Sequence, residues 1–439
     1  MVQKLKIQDI LKSINEKAEE ALNQDRKFDI RSSGKIDILN FILSFFAMFE
    51  ENKKMTLSLW SIQLGFIIND LVSKQAISAK FYDRHLDHVE SILTESLSLH
   101  IEQLNEKAVL DNELFASFGK VLVRDSVCFN LHDSLAGVFT GSGKGSTARL
   151  QTAYELKSRS YEYFKLCSYR ENDQKAAGDV LPYLEKNDLV IQDLGYQSFK
   201  VYGQIINKGA FFLTAWSYGS IIMDIDSGER IDLLALLKKE GQIDRMVKLG
   251  AIDQLKVRIV AKKIAPKVAE QRKRKARKDH KKSTNHSNNY YKMLEWDIRI
   301  TNVPKETWTL EKVLLAYRLR WHIEIIYKAW KSSLNMNKKA VHKMNASKCK
   351  MIFYLMLLYA VINCQVKYRY FLIKIKQRYE NKDLSIVKFY NFAQEFRKYI
   401  EENLESEHLL YLVVKHCCYE KRNKRKNYEQ LLYYQANTS

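Results

Sequence analysis

The chain has 439 residues, and its 72 Lys or Arg against 51 Asp or Glu give a formal net charge of +21. Its 15 Gly and 3 Pro are too few for a collagen, a low-complexity chain or a β-sandwich rich in tight turns, and they favour long helices. Hydrophobic residues make up 46% of the chain, which is enough for a sizeable core. The excess of positive charge indicates a polyanionic partner, with nucleic acid the first candidate and an anionic membrane surface the second.

The sequence predicts neither a targeting signal nor a membrane span. The N-terminal stretch is charged and amphipathic, without the apolar centre of a signal peptide. The longest apolar run, 351–364, has 14 residues, whereas a bilayer span needs about 20, so it predicts a buried helix. The six cysteines form no Cys-x-x-Cys pair, which argues against a zinc ribbon or finger. Together these features predict a reducing, cytoplasmic location.

Residues 1–115 are predicted to be helical, because apolar residues recur there at helical spacing. A helix starting near Leu57, a break at 65–70 and a helix over 73–85 fit a helix-turn-helix that reads DNA. A plain helical bundle has the same pattern, and the two interpretations carry equal weight. The polar residues of the second helix are Lys74, Gln75, Lys80 and Arg84.

Residues 119–215 change to an α/β pattern. Predicted strands lie at 121–123, 128–129, 161–168, 188–193 and 209–214, with a helix at 198–207. Asp125 lies in the polar break between the first two strands, and Asp193 ends the fourth.

Residues 216–303 are predicted to hold short strands around a basic helix. Within 271–282, eight of twelve residues are Lys or Arg. Such a run is either a solvated face or a phosphate-binding surface, and the two interpretations are equally weighted. The candidates for phosphate contact are Arg272, Lys273, Arg274 and Lys275. A second basic cluster lies at 421–426, in a C-terminal region that is predicted to be helical.

A long helix is predicted over 310–334. Four of its polar residues fall within about 60° of arc on one face, opposite an apolar face. They are Tyr317, Arg320, Glu324 and Lys331. Taken alone, the helix fits a solvated face with ordinary ion pairs better than it fits a functional site.

Considered together, the three acids Asp125, Asp193 and Glu324 favour a functional site over a solvated face. One lies at a strand, one at the end of a strand and one on a later helix, and in a ribonuclease-H-like fold these positions converge on one edge of the sheet. Clustered carboxylates repel each other unless cations neutralise them, and hard oxygen ligands favour Mg²⁺ or Mn²⁺. Two such ions about 4 Å apart can activate a water or a 3′-hydroxyl against a phosphodiester.

The spacing Tyr317-x2-Arg320-x3-Glu324-x6-Lys331 resembles the Tyr-Arg-Glu-Lys signature of the DDE transposases of bacterial insertion sequences, in the insertion-sequence-four family. The strand and turn at 296–304 resemble the family's Trp-to-Thr-Asn-x-Pro segment. The segments 193–196 and 121–126 resemble its second and first aspartate motifs. The resemblance extends over about 121–334.

The resemblance implies a role for each matching residue. Asp125, Asp193 and Glu324 would be the catalytic ligands of two Mg²⁺ ions, for which Mn²⁺ can substitute. Tyr317, Arg320 and Lys331 would contact phosphates of the transposon end, and the Trp296 indole would hold a flipped base while a DNA hairpin forms. Relatives often carry an Arg shortly after the strand at 211–214, where this chain has Trp216.

The implied fold is a helix-rich α/β protein with a ribonuclease-H-like core. Its parts would be a helical N-terminal DNA-binding domain (1–115), the first part of the core (116–215), a β-rich insertion (216–303), the catalytic helix (304–345) and a helical C-terminal region suited to dimerisation (346–439).

The predicted function is cut-and-paste DNA transposition by a nucleoid-associated bacterial enzyme. It would act as a homodimer on double-stranded DNA that carries terminal inverted repeats. A catalytically inactive DNA-binding derivative and a metal-dependent nuclease on the same core are the alternatives.

Overall fold

The computed structural model describes residues 7–22, 36–50, 55–98, 113–143, 145–278, 286–339, 342–379 and 382–420. The predicted basic cluster at 421–426 and the end of the basic run, 279–282, lie outside these described residues.

A nine-stranded mixed sheet forms the centre of the protein. Its strands are β1 (Val121–Leu131), β2 (Ser146–Glu155), β3 (Ser160–Ser168), β4 (Leu189–Gln192), β5 (Phe211–Ala215), β6 (Ile222–Asp224), β7 (Gln242–Leu249), β8 (Leu255–Lys263) and β9 (Trp296–Thr301). The order across the sheet is β3-β2-β1-β4-β5-β9-β8-β7-β6. Strands β1, β4 and β5 run parallel, and the other neighbouring pairs are antiparallel. The half from β3 to β5 has the strand order of a ribonuclease-H-like core, and the predicted α/β fold class is confirmed.

The first strand differs from the prediction. The break expected between 121–123 and 128–129 is absent, because β1 is one continuous strand. It pairs with β2 along its length and with β4 at its start, so backbone hydrogen bonds on both sides hold the polar segment around Asp125 in strand geometry. Strands β2 and β7 were not predicted, since polar side chains such as Arg149 and Gln151 interrupt the apolar pattern of β2.

Strands β6 to β9 come from residues 216–303 and continue the same sheet. The joint is β9, which pairs antiparallel with β5 on one side and β8 on the other. The helix α8 (Pro266–Lys278) lies between β8 and β9 in the chain and carries the predicted basic run. This arrangement keeps α8 connected to the sheet that carries Asp125 and leads into Asp193.

The helices of the N-terminal and middle parts are α1 (Ile7–Ala21), α2 (Ile38–Glu50), α3 (Leu57–Ile68), α4 (Lys74–Ser78), α5 (Asp83–Leu97), α6 (Phe199–Asn207), α7 (Leu233–Glu240), α8 and α9 (Asn288–Met293). Those that follow are α10 (Leu310–Arg318), α11 (Trp321–Ser332), α12 (Met336–Lys339), α13 (Ala346–Tyr359), α14 (Lys367–Arg378), α15 (Ile386–Glu395), α16 (Arg397–Asn403) and α17 (Glu407–Cys417).

The two faces of the sheet face different cores, because successive side chains of a strand alternate in direction. Val121 and Val123 face the core that contains α11, α13, α14 and the N-terminal helices. Leu122 faces the second core, which contains α6 and α7. The side chain of Asp125 shares its parity with Val121 and Val123, so it points towards α11.

Two predicted helices are interrupted. Ser73 begins a helix as predicted, because its side chain accepts a hydrogen bond from the Ala76 backbone, but α4 ends at Ser78 and α5 begins at Asp83. The predicted helix over 310–334 is divided into α10 and α11, since the bonds from Leu319 N to Ala316 O and from Arg320 N to Tyr317 O tighten the chain into a turn.

One apolar helical run extends over Ala346–Arg378 and includes a π-helical segment at Ala360–Val366. It is long and apolar enough to cross a membrane by length and composition, but 94% of its most apolar window is buried inside the protein. The sequence predicted a buried helix in this region, and that prediction is confirmed.

Candidate active site

Asp125 lies within β1, opposite Thr152 of β2, on the sheet face covered by α11. One carboxylate oxygen accepts a hydrogen bond of 2.8 Å from the backbone N–H of Ser126. The backbone carbonyl of Asp125 accepts a bond of 2.6 Å from the hydroxyl of Tyr327 on α11. Strand and helix are therefore fixed together at this acid.

Asp193 directly follows β4, and the register of the sheet brings it beside Asp125. In the parallel pair of β1 and β4, Arg124 lies opposite Gln192. Asp125 follows Arg124 and Asp193 follows Gln192 in the sequence. Asp193 begins the short 3₁₀ helix Leu194–Tyr196, and its carboxylate accepts a bond of 2.6 Å from the Leu194 N–H. The end of a parallel strand thus presents the second carboxylate at the same edge as the first.

Glu324 lies in the first turn of α11, and a single cation connects it to Asp125. The Arg320 guanidinium donates to Asp125 Oδ2 at 3.0 Å and to Glu324 Oε1 at 2.6 Å. The turn between α10 and α11 places Arg320 at this position, one helical turn before Glu324. The interruption of the predicted long helix therefore helps to position Arg320 between the two acids.

The charges of these groups act on one another's pKa values. Burial raises the pKa of Asp125 to about 6, against the lowering effects of Arg320 and the Ser126 N–H, and the charges of Asp193 and Glu324 raise it further. Burial lowers the pKa of Arg320, but the charges of Tyr317 and all three acids outweigh burial and raise it above its usual value. One guanidinium therefore interacts with all three carboxylates.

Tyr317 belongs to the same group of side chains. Its ring lies 3.8 Å below the guanidinium carbon of Arg299 and 6.0 Å from that of Arg320. Burial raises the pKa of the Tyr317 hydroxyl, which keeps the group protonated and able to donate a hydrogen bond. Lys331 is exposed further along α11, with its ammonium 5.7 Å from the ring of Phe129 near the end of β1.

A transposase DDE-domain family model matches residues 116–360, a range that contains all three acids. The chain belongs to this family. It is 23% identical over 339 residues to the transposase for insertion sequence element IS231E of Bacillus thuringiensis subsp. finitimus, covering 72% of this chain and 70% of that one. It is 26% identical over 355 residues to the transposase for IS1151 of Clostridium perfringens, covering 74% and 73%.

Among solved structures, a piggyBac transposase synaptic complex with hairpin DNA aligns with a TM-score of 0.41 and 8% identity, covering 95% of this chain and 83% of that one. Membership of the DDE family makes this chain an enzyme that cleaves and transfers DNA and depends on divalent metal ions.

The donor set of this DDE site suits such ions, because three carboxylates offer hard oxygen ligands at one edge of the sheet. In this structure, the Arg320 guanidinium provides the positive charge between Asp125 and Glu324. In the described part of the chain, no three His, Cys, Asp or Glu side chains are grouped as closely as a formed metal site requires. If these residues held an ion, the carboxylates would have to lie closer together than they do here, and Arg320 would have to move from between Asp125 and Glu324.

The basic run of α8 divides into two groups. Arg272 donates to the Trp296 carbonyl at 2.9 Å, and Lys273 lies 2.8 Å from the Glu295 carboxylate, so both serve the protein's own structure. Arg274 and Lys275 are exposed on the outer face of the helix. The sequence alone could not separate these residues, because all four have the same chemistry and adjacent positions.

Two tryptophans differ sharply in exposure. Trp296 begins β9 and is only 6% exposed within the second core. Trp321 directly follows Arg320 and is 60% exposed, one helical turn before Glu324. The sequence analysis assigned no role to Trp321, Tyr327 or Arg299. Trp321 and Tyr327 are each three residues from Glu324, and this helical spacing was the signal that could have identified both of them.

Proposed function

We propose that this chain carries out cut-and-paste transposition of an insertion sequence by nicking its ends, passing through a hairpin intermediate and joining the freed ends to target DNA. The observation that carries the proposal is the contact of one guanidinium, that of Arg320, with two acids from different elements, while its charge interacts with the third. An ordinary surface ion pair needs no such convergence of a strand, a strand end and a helix.

In this proposal, Asp125, Asp193 and Glu324 hold two Mg²⁺ ions, for which Mn²⁺ can substitute. Bound ions of this kind supply activation of the attacking hydroxyl and stabilisation of charge at the leaving oxygen. Tyr327 keeps the β1 carbonyl bonded to α11, so that the carboxylates of the two elements stay in a fixed relationship. Asp193 is fixed separately by its own bond to the Leu194 N–H.

The cations beside the acids would bind the DNA backbone. Arg320 uses two of its N–H groups on carboxylates, and a guanidinium has five, so donors remain for a phosphate. Tyr317 presents a protonated hydroxyl beside it, and the exposed Lys331 would contact a phosphate further along the strand. A shift of Arg320 onto DNA would release the carboxylates for metal.

Base holding during hairpin formation has two candidate side chains, Trp296 and Trp321. For Trp296 it requires the indole to leave the second core, where it is now buried. Trp321, three residues before Glu324 on α11, offers an exposed ring without such a rearrangement. We further propose that two copies of the chain act on paired ends, because both ends of an element must be cut before it can move.

The decisive experiment uses the DNA that flanks the reading frame. Terminal inverted repeats are identified there, and labelled end fragments are incubated with the chain and Mg²⁺. We expect metal-dependent nicking at the repeat boundary, then a hairpin, then joined products with a target plasmid. Hydrolysis without joining would indicate a nuclease, and end binding without any nicking would indicate an inactive derivative.

A further inference from the structure

A row of aromatic side chains extends from the edge of the sheet across the surface. It consists of Trp216, Tyr218, Tyr290, His286 and Tyr291, and is named the aromatic track. The ring centroids of Trp216 and Tyr218 are 6.1 Å apart, those of Tyr218 and Tyr290 are 5.2 Å apart, and His286 stacks on Tyr290 at 4.0 Å. Tyr290 and Tyr291 lie 5.8 Å apart in a near-perpendicular arrangement.

The track begins at the edge that carries the catalytic acids. Trp216 directly follows β5, which runs parallel to β4, with Ile191 opposite Leu213. Continuing this register places Asp193 opposite Ala215, so Trp216 is one residue further along. Neighbouring strands are about 4.8 Å apart, so the track begins close to the end of β4. Trp216 packs against the second core, on the sheet face opposite to α11, so a strand on the track would pass around the edge of the sheet from the acids.

The far end of the track meets the basic helix. The guanidinium of Arg277 lies 5.6 Å from the ring of Tyr291. Arg274, Lys275, Arg277 and Lys278 are all exposed, and within the described residues none of them forms an ion pair. The nearby acids Glu295 and Asp297 are already paired with Lys273 and Arg272. The outer face of α8 therefore keeps its positive charge.

The track is only partly covered, and a hydrogen bond holds one of its rings. Tyr218 is 45% exposed, and its hydroxyl is within 2.9 Å of the Ser287 hydroxyl, which fixes the direction of its ring. Trp216 Nε1 is a buried donor with no hydrogen-bond partner among the described residues. A partly exposed ring that is held by a hydrogen bond can bind a ligand at little cost in conformational entropy.

We propose that the aromatic track and the exposed cations of α8 bind an unpaired stretch of DNA strand that leaves the catalytic edge. Rings provide stacking surfaces that only unpaired bases can use, and aromatic rings combined with a positively charged surface are typical of sites for single-stranded nucleic acid. A continuous duplex would contact only the cations, because its bases are stacked on each other. This inference rests on the proposed function, since it assumes that DNA occupies the site.

The test measures the affinity of the full chain for two labelled DNA probes, with Ca²⁺ in place of Mg²⁺ to prevent cutting. One is a blunt duplex, and the other is the same duplex with a short oligothymidine extension. We expect the extension to strengthen binding about tenfold, and Tyr218→Ala to remove that gain while changing blunt-duplex affinity less than about twofold.

Two control variants accompany this test. Tyr218→Phe keeps the ring and should keep the gain from the extension. Tyr411→Ala removes a tyrosine that is 55% exposed on α17, with the Lys415 ammonium 5.9 Å from its ring, and should also leave the gain intact. Crosslinking of an extension that carries 5-iodouracil should label Trp216 or Tyr218 in the parent chain, which does not depend on any variant folding.

The possible outcomes separate this inference from the proposed function. Equal affinity of the parent chain for both probes, or equal losses for both probes in Tyr218→Ala, would overturn the track as a binding surface and leave the proposed function standing. Failure of the parent chain to bind either probe would overturn both.

Discussion

The Arg320 guanidinium donates to Asp125 Oδ2 at 3.0 Å, a contact between residues that are 195 positions apart in the chain. The same guanidinium holds Glu324 at 2.6 Å. One positive group thus neutralises two of the carboxylates that we propose to be metal ligands. Metal and guanidinium should therefore compete for the same carboxylates.

Replacing Arg320 tests this competition. Arg320→Gln leaves two half-buried carboxylates without their cation, which should lower the free energy of unfolding by about 3 kcal/mol without metal. Mn²⁺ should raise the melting temperature of this variant more than that of the parent chain. Lys331→Gln is the matched control, because Lys331 contacts no acid in the described structure. Equal shifts with Mn²⁺ in all three proteins would contradict the competition.

The three acids should be needed for cutting and not for binding. Asp125→Ala, Asp193→Ala and Glu324→Ala should each abolish nicking of an end fragment, because each removes one of the proposed metal ligands. DNA affinity should stay largely intact, since it comes mainly from contacts with phosphates. Glu306→Gln, which changes an exposed acid away from the site, serves as the control. A variant at any of the three that still nicks at the parental rate would not be a ligand.

Stability without metal should fall as the pH rises from about 4 to about 6. Asp125 has a pKa raised to about 6 in the folded chain, whereas the unfolded value is 3.8. Between these values the folded state binds more protons than the unfolded state, so the free energy of unfolding decreases with rising pH, by at most about 3 kcal/mol. Denaturant unfolding over this range measures the change. Asp125→Asn should flatten this dependence, and an unaltered slope in that variant would disprove the assignment to Asp125.

The two tryptophans should respond differently to truncation. Trp296→Ala removes a buried side chain and should cost about 3–5 kcal/mol of stability. Trp321→Ala removes an exposed one and should cost less than about 0.5 kcal/mol. If Trp321 stacks on the flipped base, its loss should slow hairpin formation about tenfold or more and spare the first nick. Gel analysis of nick and hairpin yields decides this, and a normal hairpin rate in Trp321→Ala would exclude the role.

The basic run should show two kinds of behaviour in binding measured against salt. Arg274→Gln and Lys275→Gln should each reduce the slope of log affinity against log salt by about 1, because exposed cations release counterions from phosphates. Lys273→Gln should instead lower stability slightly and keep the slope, since Lys273 is paired with Glu295. Identical slopes in all of these variants and the parent chain would mean that the outer face of α8 does not contact DNA.

The sequence by itself determined the fold class and the identity of the catalytic candidates. Asp193 follows a short apolar strand, and Tyr317, Arg320 and Glu324 keep a spacing that identifies the family, so local pattern was sufficient. Apolar periodicity also predicted the buried C-terminal helix. These features depend on neighbours within a few residues, which a sequence displays directly.

Only the tertiary structure decided what depends on distant partners. β1 is continuous through Asp125 because it pairs with a strand on each side. One of these strands, β2, pairs with most of β1 and lies more than a dozen residues away in the chain. The division of α8 into paired and exposed cations depends on acids near β9, and the burial of Trp296 depends on the second core. The hydrogen bond from Arg320 to Asp125 joins two segments that are far apart in the sequence. No local pattern predicts this bond, because the two side chains meet only when β1 packs against α11 in the folded chain.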